Sequence, residues 1–123
     1  MSRPTDVVEQ WRGLQGSYLS TAAALDHVLG ENFELGLSEF EILDLIAENN
    51  ADECRMRALV DLTPMTQSAL SRIVDRLQKA GLVERKECDL DRRSMFVSLT
   101  AQGTSLHARA REVYRSTLAA ELG

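Results

Sequence analysis

The sequence predicts a mainly α-helical protein that carries one small β-hairpin. Apolar side chains recur at steps of three and four along several long stretches, which is the spacing of one helix face. Only the stretch between Gly81 and Thr100 combines alternating apolar residues with a charged turn, as a hairpin requires. Aromatic residues make up 5% of the 123 residues, and leucine and alanine dominate, which favours helix over sheet.

Length and composition are those of a globular protein with one domain, or with one domain and an appendage. Apolar residues make up 44% of the chain, enough for a core that needs neither disulfides nor a metal. The two cysteines, Cys54 and Cys88, form no pair with close spacing, so we expect a reduced protein in the cytoplasm. The sequence has no long apolar run and no signal-peptide pattern, so no membrane contact is expected.

Charge is divided unevenly along the chain, whose formal net charge is −5. Residues 1–53 hold 2 basic and 11 acidic side chains, a net charge of −9. Residues 54–93 hold 9 basic and 6 acidic side chains, a net charge of +3, and residues 94–123 carry +1. A local basic patch decides contact with phosphates, because charges are screened over about 8 Å at physiological salt. The overall acidity therefore does not exclude nucleic acid.

The first half of the sequence predicts two long helices, followed by a short one. Apolar positions from Val7 to about Leu29 follow the helical spacing, and Gly30 is a plausible stop. A second helix begins near Ser38, whose side chain can cap it, while Glu41 stands three residues on and completes a capping box. A short helix follows over Cys54 to Asp61.

The second half predicts a helix, a hairpin and a last helix. Thr66 is a good N-cap for a helix from Gln67 to Lys79, which Gly81 ends. The following segments are a strand over 82–86, a charged turn over 88–93, a strand over 94–99 and a helix over 101–121 capped by Thr100.

This order is that of a winged helix-turn-helix, in which the second helix of the pair enters the major groove of DNA. The helix from Gln67 onward begins with small polar residues, which let the backbone approach base edges, and its free N-terminal N–H groups attract phosphate. The candidate DNA-binding residues of this recognition helix are Thr66, Gln67, Ser68, Ala69, Ser71, Arg72 and Arg76.

The hairpin supplies the candidate wing. One arginine at its tip can enter the adjacent minor groove, which is narrow and negative, and Arg93 is preferred over Arg92. Asp89 or Asp91 is expected to pair with an arginine and shape the turn, while Arg85 and Lys86 at the wing base can reach phosphates. The candidate wing residues are Arg85, Lys86, Asp91, Arg92, Arg93 and Ser94.

The run LSRIVDRLQKAGLVER followed by DLDRRSMFVSLTAQG resembles the MarR (multiple antibiotic resistance regulator) family. Leu70 to Arg85 resembles that family's recognition helix and first wing strand, and Asp89 to Arg93 resembles its wing signature. Residues 36–43 and 99–103 also fit, so the resemblance covers roughly residues 20–110.

The resemblance implies a homodimeric transcriptional repressor that binds pseudo-palindromic promoter DNA and is released by a small phenolic or aromatic ligand. It implies dimerisation through a helix within residues 1–36, a DNA-binding domain over 37–100, and a C-terminal dimerisation helix within 101–123. We expect that last part to be shortened, because the family usually places two helices after the wing and only one fits here. Either the sequence is a truncated product or its dimer relies on residues 7–29 and 101–121 alone. Candidate ligand-pocket residues are Trp11, Tyr18 and Tyr114.

Two other functions stay open. The acidic net charge and the short C-terminal part also suit a winged-helix module that binds protein and has little DNA affinity, while Cys54 or Cys88 suits a regulator that senses oxidants. An enzyme is not expected, since the sequence offers no nucleophile–base pair and no phosphate-binding glycine loop. No cofactor is expected either, and the separation of His27 from His107 argues against a metal site.

Overall fold

The computed structural model describes residues 4–49, 54–88 and 91–123. Five helices and three strands make up these parts of the chain, so the predicted mainly helical class with a small hairpin is confirmed. In chain order the elements are α1 (Pro4–Phe33), α2 (Leu37–Glu48), β1 (Cys54–Arg55), α3 (Met56–Leu62), α4 (Gln67–Lys79), β2 (Val83–Cys88), β3 (Asp91–Leu99) and α5 (Ala101–Leu122).

Helix α2 lies at the centre of the hydrophobic core. It touches α1, α3, α4, α5 and β3, and it buries Phe40, Ile42, Leu43 and Ile46 completely. The core therefore joins the C-terminal half of α1 to the sheet and to α4. The other fully buried large side chains are Leu29, Leu59, Leu70, Val74, Leu77, Val83 and Val97. No helix in the described ranges is long and apolar enough to cross a membrane.

The connection between α1 and α2 differs from the prediction. Helix α1 continues through Gly30 to Phe33, and the chain turns at Glu34, which has a φ of 57°. Helix α2 is capped by Gly36 instead of Ser38, because the Gly36 N–H donates to Glu39 Oε1 at 2.8 Å. Glycine has no side chain to complete a capping box, so only the Glu39 half forms, and the helix begins two residues before the predicted cap.

The sheet has one strand more than the predicted hairpin. Strand β1 pairs antiparallel with β3, Cys54 opposite Val97, and the strand order is β1-β3-β2. The short helix predicted from Cys54 therefore begins at Met56. Two residues are too few to show an alternating pattern, and this pairing depends on the free edge of β3.

Both strands of the hairpin are longer than predicted. Strand β2 reaches Cys88, and β3 begins at Asp91, so the backbone of Arg92 and Arg93 belongs to β3 and not to a loop. The register pairs Arg85 with Val97 and is irregular between Glu87 and Cys88. Asp89 and Leu90, predicted within the turn, lie outside the described residues.

Candidate nucleic-acid interface

Helix α4 separates an apolar stripe from a polar face. Leu70, Ile73, Val74 and Leu77 are buried against the core, as their helical spacing predicts. The opposite side and its flanks carry what we call the polar face of α4. Its members are the exposed Gln67, Ser68, Arg72 and Arg76 and the half-buried Ala69 and Ser71.

The start of α4 matches the sequence prediction. Thr66 is exposed, and its Oγ1 accepts a hydrogen bond from the Ala69 N–H at 3.1 Å, so the side chain satisfies one of the free donors of the first turn. The remaining N-terminal N–H groups, beside Gln67 and Ser68, keep the positive end of the helix dipole facing solvent.

A compact junction fixes the C-terminal end of α4 to the hairpin and to α5. Gly81 takes a φ of 80°, and its carbonyl accepts from Thr100 Oγ1 at 2.6 Å. The Thr100 N–H donates to the Leu82 carbonyl at 3.0 Å, and Thr100 Oγ1 also caps α5 through the Gly103 N–H. At Gly103 a Cβ atom would lie 1.9 Å from the Leu82 carbonyl oxygen, so only glycine fits there.

The wing residues fall into two groups. Lys86 is exposed on β2, on the same outward face of the strand as Glu84. The backbone of Asp91, Arg92, Arg93 and Ser94 forms the first part of β3, while their side chains lie outside the described part of the structure. Their predicted contacts with DNA therefore remain predictions.

Arg85 points toward α4 and not into solvent. Its Nη2 lies 2.7 Å from Asp75 Oδ1 and donates to the Ser71 carbonyl at 3.2 Å. Its side chain is 20% exposed, against 50% for Asp75. The arginine predicted as a phosphate contact is thus bound to the recognition helix itself.

Sequence reasoning missed Asp75, although a signal was present. Side chains alternate across a strand, and Val83 is buried, so Arg85 lies on the same inward face of β2. Ser71 and Asp75 stand one helical turn apart on α4, where Ser71 is half-buried and Asp75 is exposed. Together these two periodicities predict an acidic partner on α4 for an inward arginine.

The candidate ligand residues do not form one aromatic cluster. Trp11 is 60% exposed and Tyr18 is 70% exposed on α1, whereas Tyr114 on α5 packs against Phe40 with ring centroids 4.7 Å apart. Among the residues that the structure describes, no ring contact joins Tyr114 to either of the other two.

Tyr114 belongs to a polar group where α2 meets α5. His107 Nε2 lies 2.7 Å from Asp44 Oδ1, and the His107 ring stacks on Phe40. Burial raises the pKa of Tyr114, and the carboxylates of Glu41, Asp44 and Glu48 raise it further. Partial burial, and then Asp44, raises the pKa of Glu41. This junction therefore disfavours additional negative charge.

The cysteine side chains of the oxidant-sensing alternative, Cys54 and Cys88, lie outside the described part of the chain. Within the described ranges, no three His, Cys, Asp or Glu side chains stand close enough to hold a metal ion.

The arrangement of α2 to β3 defines a winged helix-turn-helix protein. A model of the MarR family matches residues 33–94, which is half of the chain and includes the helix pair and the start of the wing. The chain belongs to the MarR family.

Relatives in sequence and in structure agree with this assignment. The chain is 26% identical over 101 residues to the uncharacterized HTH-type transcriptional regulator YhjH of Bacillus subtilis, a match that covers 81% of this chain and 57% of YhjH. The chain thus spans little more than half the length of that relative.

Two solved structures from Streptomyces coelicolor have the same fold. AbsC, a MarR family transcriptional regulator, superposes with a TM-score of 0.86 at 26% identity, covering 98% of this chain and 80% of AbsC. Sco3205, a MarR family regulator in complex with DNA, superposes with a TM-score of 0.90 at 25% identity, covering 98% of this chain and 76% of Sco3205. The predicted fold class and family are confirmed.

Proposed function

We propose that this chain is a homodimeric transcriptional repressor that binds pseudo-palindromic duplex DNA and leaves it when a small aromatic ligand binds. One observation carries the DNA-binding part: the polar face of α4 is exposed on a helix whose opposite side is locked into the core. The structure of Sco3205 in complex with DNA, a protein of the same fold, supports the same function.

In this proposal α4 lies in the major groove. Ser68, Ala69 and Arg72 face base edges, where an arginine can bind guanine through two hydrogen bonds. Thr66, Gln67 and Arg76 contact phosphates or bases from the edges of the same face. Lys86 contacts a phosphate from the base of the wing.

The wing enters the neighbouring minor groove in the same proposal. The extended backbone of β3 carries Arg92 and Arg93 away from the core, and a narrow minor groove attracts arginine. We assign the insertion to Arg93, with Asp91 and Ser94 shaping the strand around it.

The N-terminal half of α1 supports a dimer. Trp11, Leu14 and Tyr18 are spaced by three and four residues and form one stripe, with exposures of 60%, 61% and 70%. A stripe of large apolar side chains marks an interaction site when it is exposed. A second copy of the chain would cover it, together with Leu122 at the end of α5, which is also exposed.

The effector is proposed to be a small phenolic or aromatic compound bound beside Tyr114, the one of the three predicted pocket residues that packs against the core; Trp11 and Tyr18 lie apart from it on the exposed half of α1. Burial, and then the carboxylates around Tyr114, raise the pKa of its phenol, and both disfavour a benzoate-like anion beside it. Titration with phenol and with benzoate, followed by release of a DNA fragment, tests this: phenol should release the DNA at the lower concentration.

Selection of bound duplexes from random DNA, with sedimentation of the free protein, tests the DNA-binding and dimer parts together. We expect a selected site with two-fold symmetry and a dimeric protein. Arg72→Ala should relax base preference at one position by about 1–3 kcal/mol. Arg93→Ala should weaken binding and lower the magnitude of the slope of log K against log salt concentration by about one, as loss of one phosphate contact does. If no duplex is selected even at low salt, the protein-binding module is the better description.

A further inference from the structure

We infer that Arg85 is a positioning residue that holds the wing against the recognition helix, with Asp75 as its partner, and that it is not a phosphate contact. The inference rests on the proposed use of α4 and the wing on DNA. It also explains why an acidic residue, Asp75, stands on the helix proposed to face DNA: its carboxylate binds Arg85.

The geometry of Arg85 is that of a link between two elements. Its strand neighbour Val83 and its cross-strand partner Val97 are both buried, so the side chain starts from the inward face of the sheet. Its Nη2 meets both Asp75 and the Ser71 carbonyl, at 2.7 Å and 3.2 Å. Among the described residues, the buried Nε has no hydrogen-bond partner. A guanidinium held against α4 in this way is directed away from a DNA backbone.

Two contacts on one helix restrain more than one contact does. Ser71 and Asp75 are one turn apart on α4, so a planar guanidinium that touches both resists sliding and rotation of β2 along the helix. Strand β3 follows, because Arg85 is paired in register with Val97. The link therefore sets where the wing stands when α4 occupies a groove.

The negative charge of Asp75 makes the inference testable by the direction in which DNA affinity changes when that charge is removed. An exposed carboxylate on a DNA-facing helix repels phosphates, so its removal alone should strengthen binding. If Asp75 instead holds Arg85 and the wing in place, its removal should weaken binding. The two accounts predict opposite changes for the same substitution.

The first experiment compares Asp75→Asn with Glu84→Gln, using the full chain and a duplex that the wild-type chain selects from random DNA. Glu84 is exposed on the opposite face of β2, so its variant removes the same charge without touching the link. We expect Asp75→Asn to bind about tenfold more weakly, equivalent to about 1.4 kcal/mol, and Glu84→Gln to bind equally or more tightly. Equal or tighter binding by Asp75→Asn would overturn the inference.

A second measurement separates the link from folding and from the proposed function. Amide hydrogen exchange of the free protein should show faster exchange in β2 and β3 for Asp75→Asn and for Arg85→Gln, with no further increase in the double variant. Arg85→Gln should leave unchanged the slope of log K for DNA binding against log salt concentration. Loss of a phosphate contact would lower the magnitude of that slope by about one. If amide exchange in β2 and β3 is unchanged in these variants, the inference is wrong. This result does not depend on DNA binding, so it can be obtained even if no duplex is selected and the proposed function fails.

Discussion

Helix α4 and the N-terminal half of α1 have similar apolar spacing and opposite environments. In α4, Leu70 and Val74 are completely buried, while in α1 Leu14 and Tyr18 stand more than half exposed. Every described residue from Asp6 to Ser20 is exposed, although α1 continues into the core from Thr21 onward. Periodicity therefore shows which face of a helix is apolar, and it leaves open whether that face packs within the chain or against a second molecule.

The largest expected difference between the two regions concerns large-to-small substitutions. Leu70→Ala should lower the free energy of unfolding by about 2–5 kcal/mol, because it opens a cavity in the core. Leu14→Ala should change the stability of the single chain by about 0.5 kcal/mol or less, since little is buried there.

Urea unfolding of both variants at several protein concentrations measures this contrast. In the proposed dimer, Leu14→Ala should also remove the dependence of stability on concentration. A loss equal to that of Leu70→Ala at every concentration would show that the stripe of α1 packs within the chain.

Two glycines give the next contrast. Gly103→Ala should destabilise the protein by about 1–3 kcal/mol, because the new Cβ atom meets the Leu82 carbonyl oxygen and forces the backbone to move. Gly16 has open space around its Cα, so Gly16→Ala should stabilise α1 by up to about 1 kcal/mol. Thermal unfolding of the two variants should shift in opposite directions, and a neutral Gly103→Ala would contradict the tight junction.

A smaller effect is expected at the start of α4. Thr66→Ala removes the hydrogen bond to the Ala69 N–H and should lower the free energy of unfolding by about 0.5–2 kcal/mol. Ser17→Ala, on the exposed half of α1, should stay within about 0.5 kcal/mol of the wild type. Similar losses for the two variants would mean that the Thr66 cap contributes little.

The smallest effect is a pH dependence at Glu41. Its pKa is raised in the folded state, because folding favours the neutral carboxyl over the carboxylate. The resulting stabilisation is present at low pH and is lost as the pH rises through the folded pKa. Glu41→Gln should raise stability at pH 7, because it removes a charge that folding disfavours. The gain should be only a few tenths of a kcal/mol, since solvent screens this exposed carboxylate. Chemical denaturation at pH 7 and at pH 3 measures the difference, and an advantage that persists at pH 3 would rule out this origin.

Local patterns predicted the elements whose determinants are close in sequence. The bounds of α4, its Thr66 cap and the turn at Gly81 needed only helical spacing and near neighbours, and they are confirmed. The start of α2 was wrong in detail because it depends on distant atoms: besides the bond to Glu39, the Leu37 N–H donates to Asp26, eleven residues earlier.

The site was predictable to the same extent. The polar face of α4 follows from its period, and the order of motifs identified the family. Strand β1 and the pairing of Arg85 with Asp75 depend on the packing of separate elements, which a single sequence shows only indirectly. The roles of Arg92, Arg93 and Ser94 on DNA stay predictions.

The contact of Gly103 with Leu82 makes α5 a lever in the proposed dimer. Its base is joined rigidly to the end of α4, and its 22 residues span about 33 Å at 1.5 Å per residue. A tilt of about 5° at the far end of such a lever moves the recognition helix by about 3 Å, close to the rise of one base pair. A ligand that tilts α5 only slightly would therefore shift each recognition helix by about one base pair from the bases that it reads.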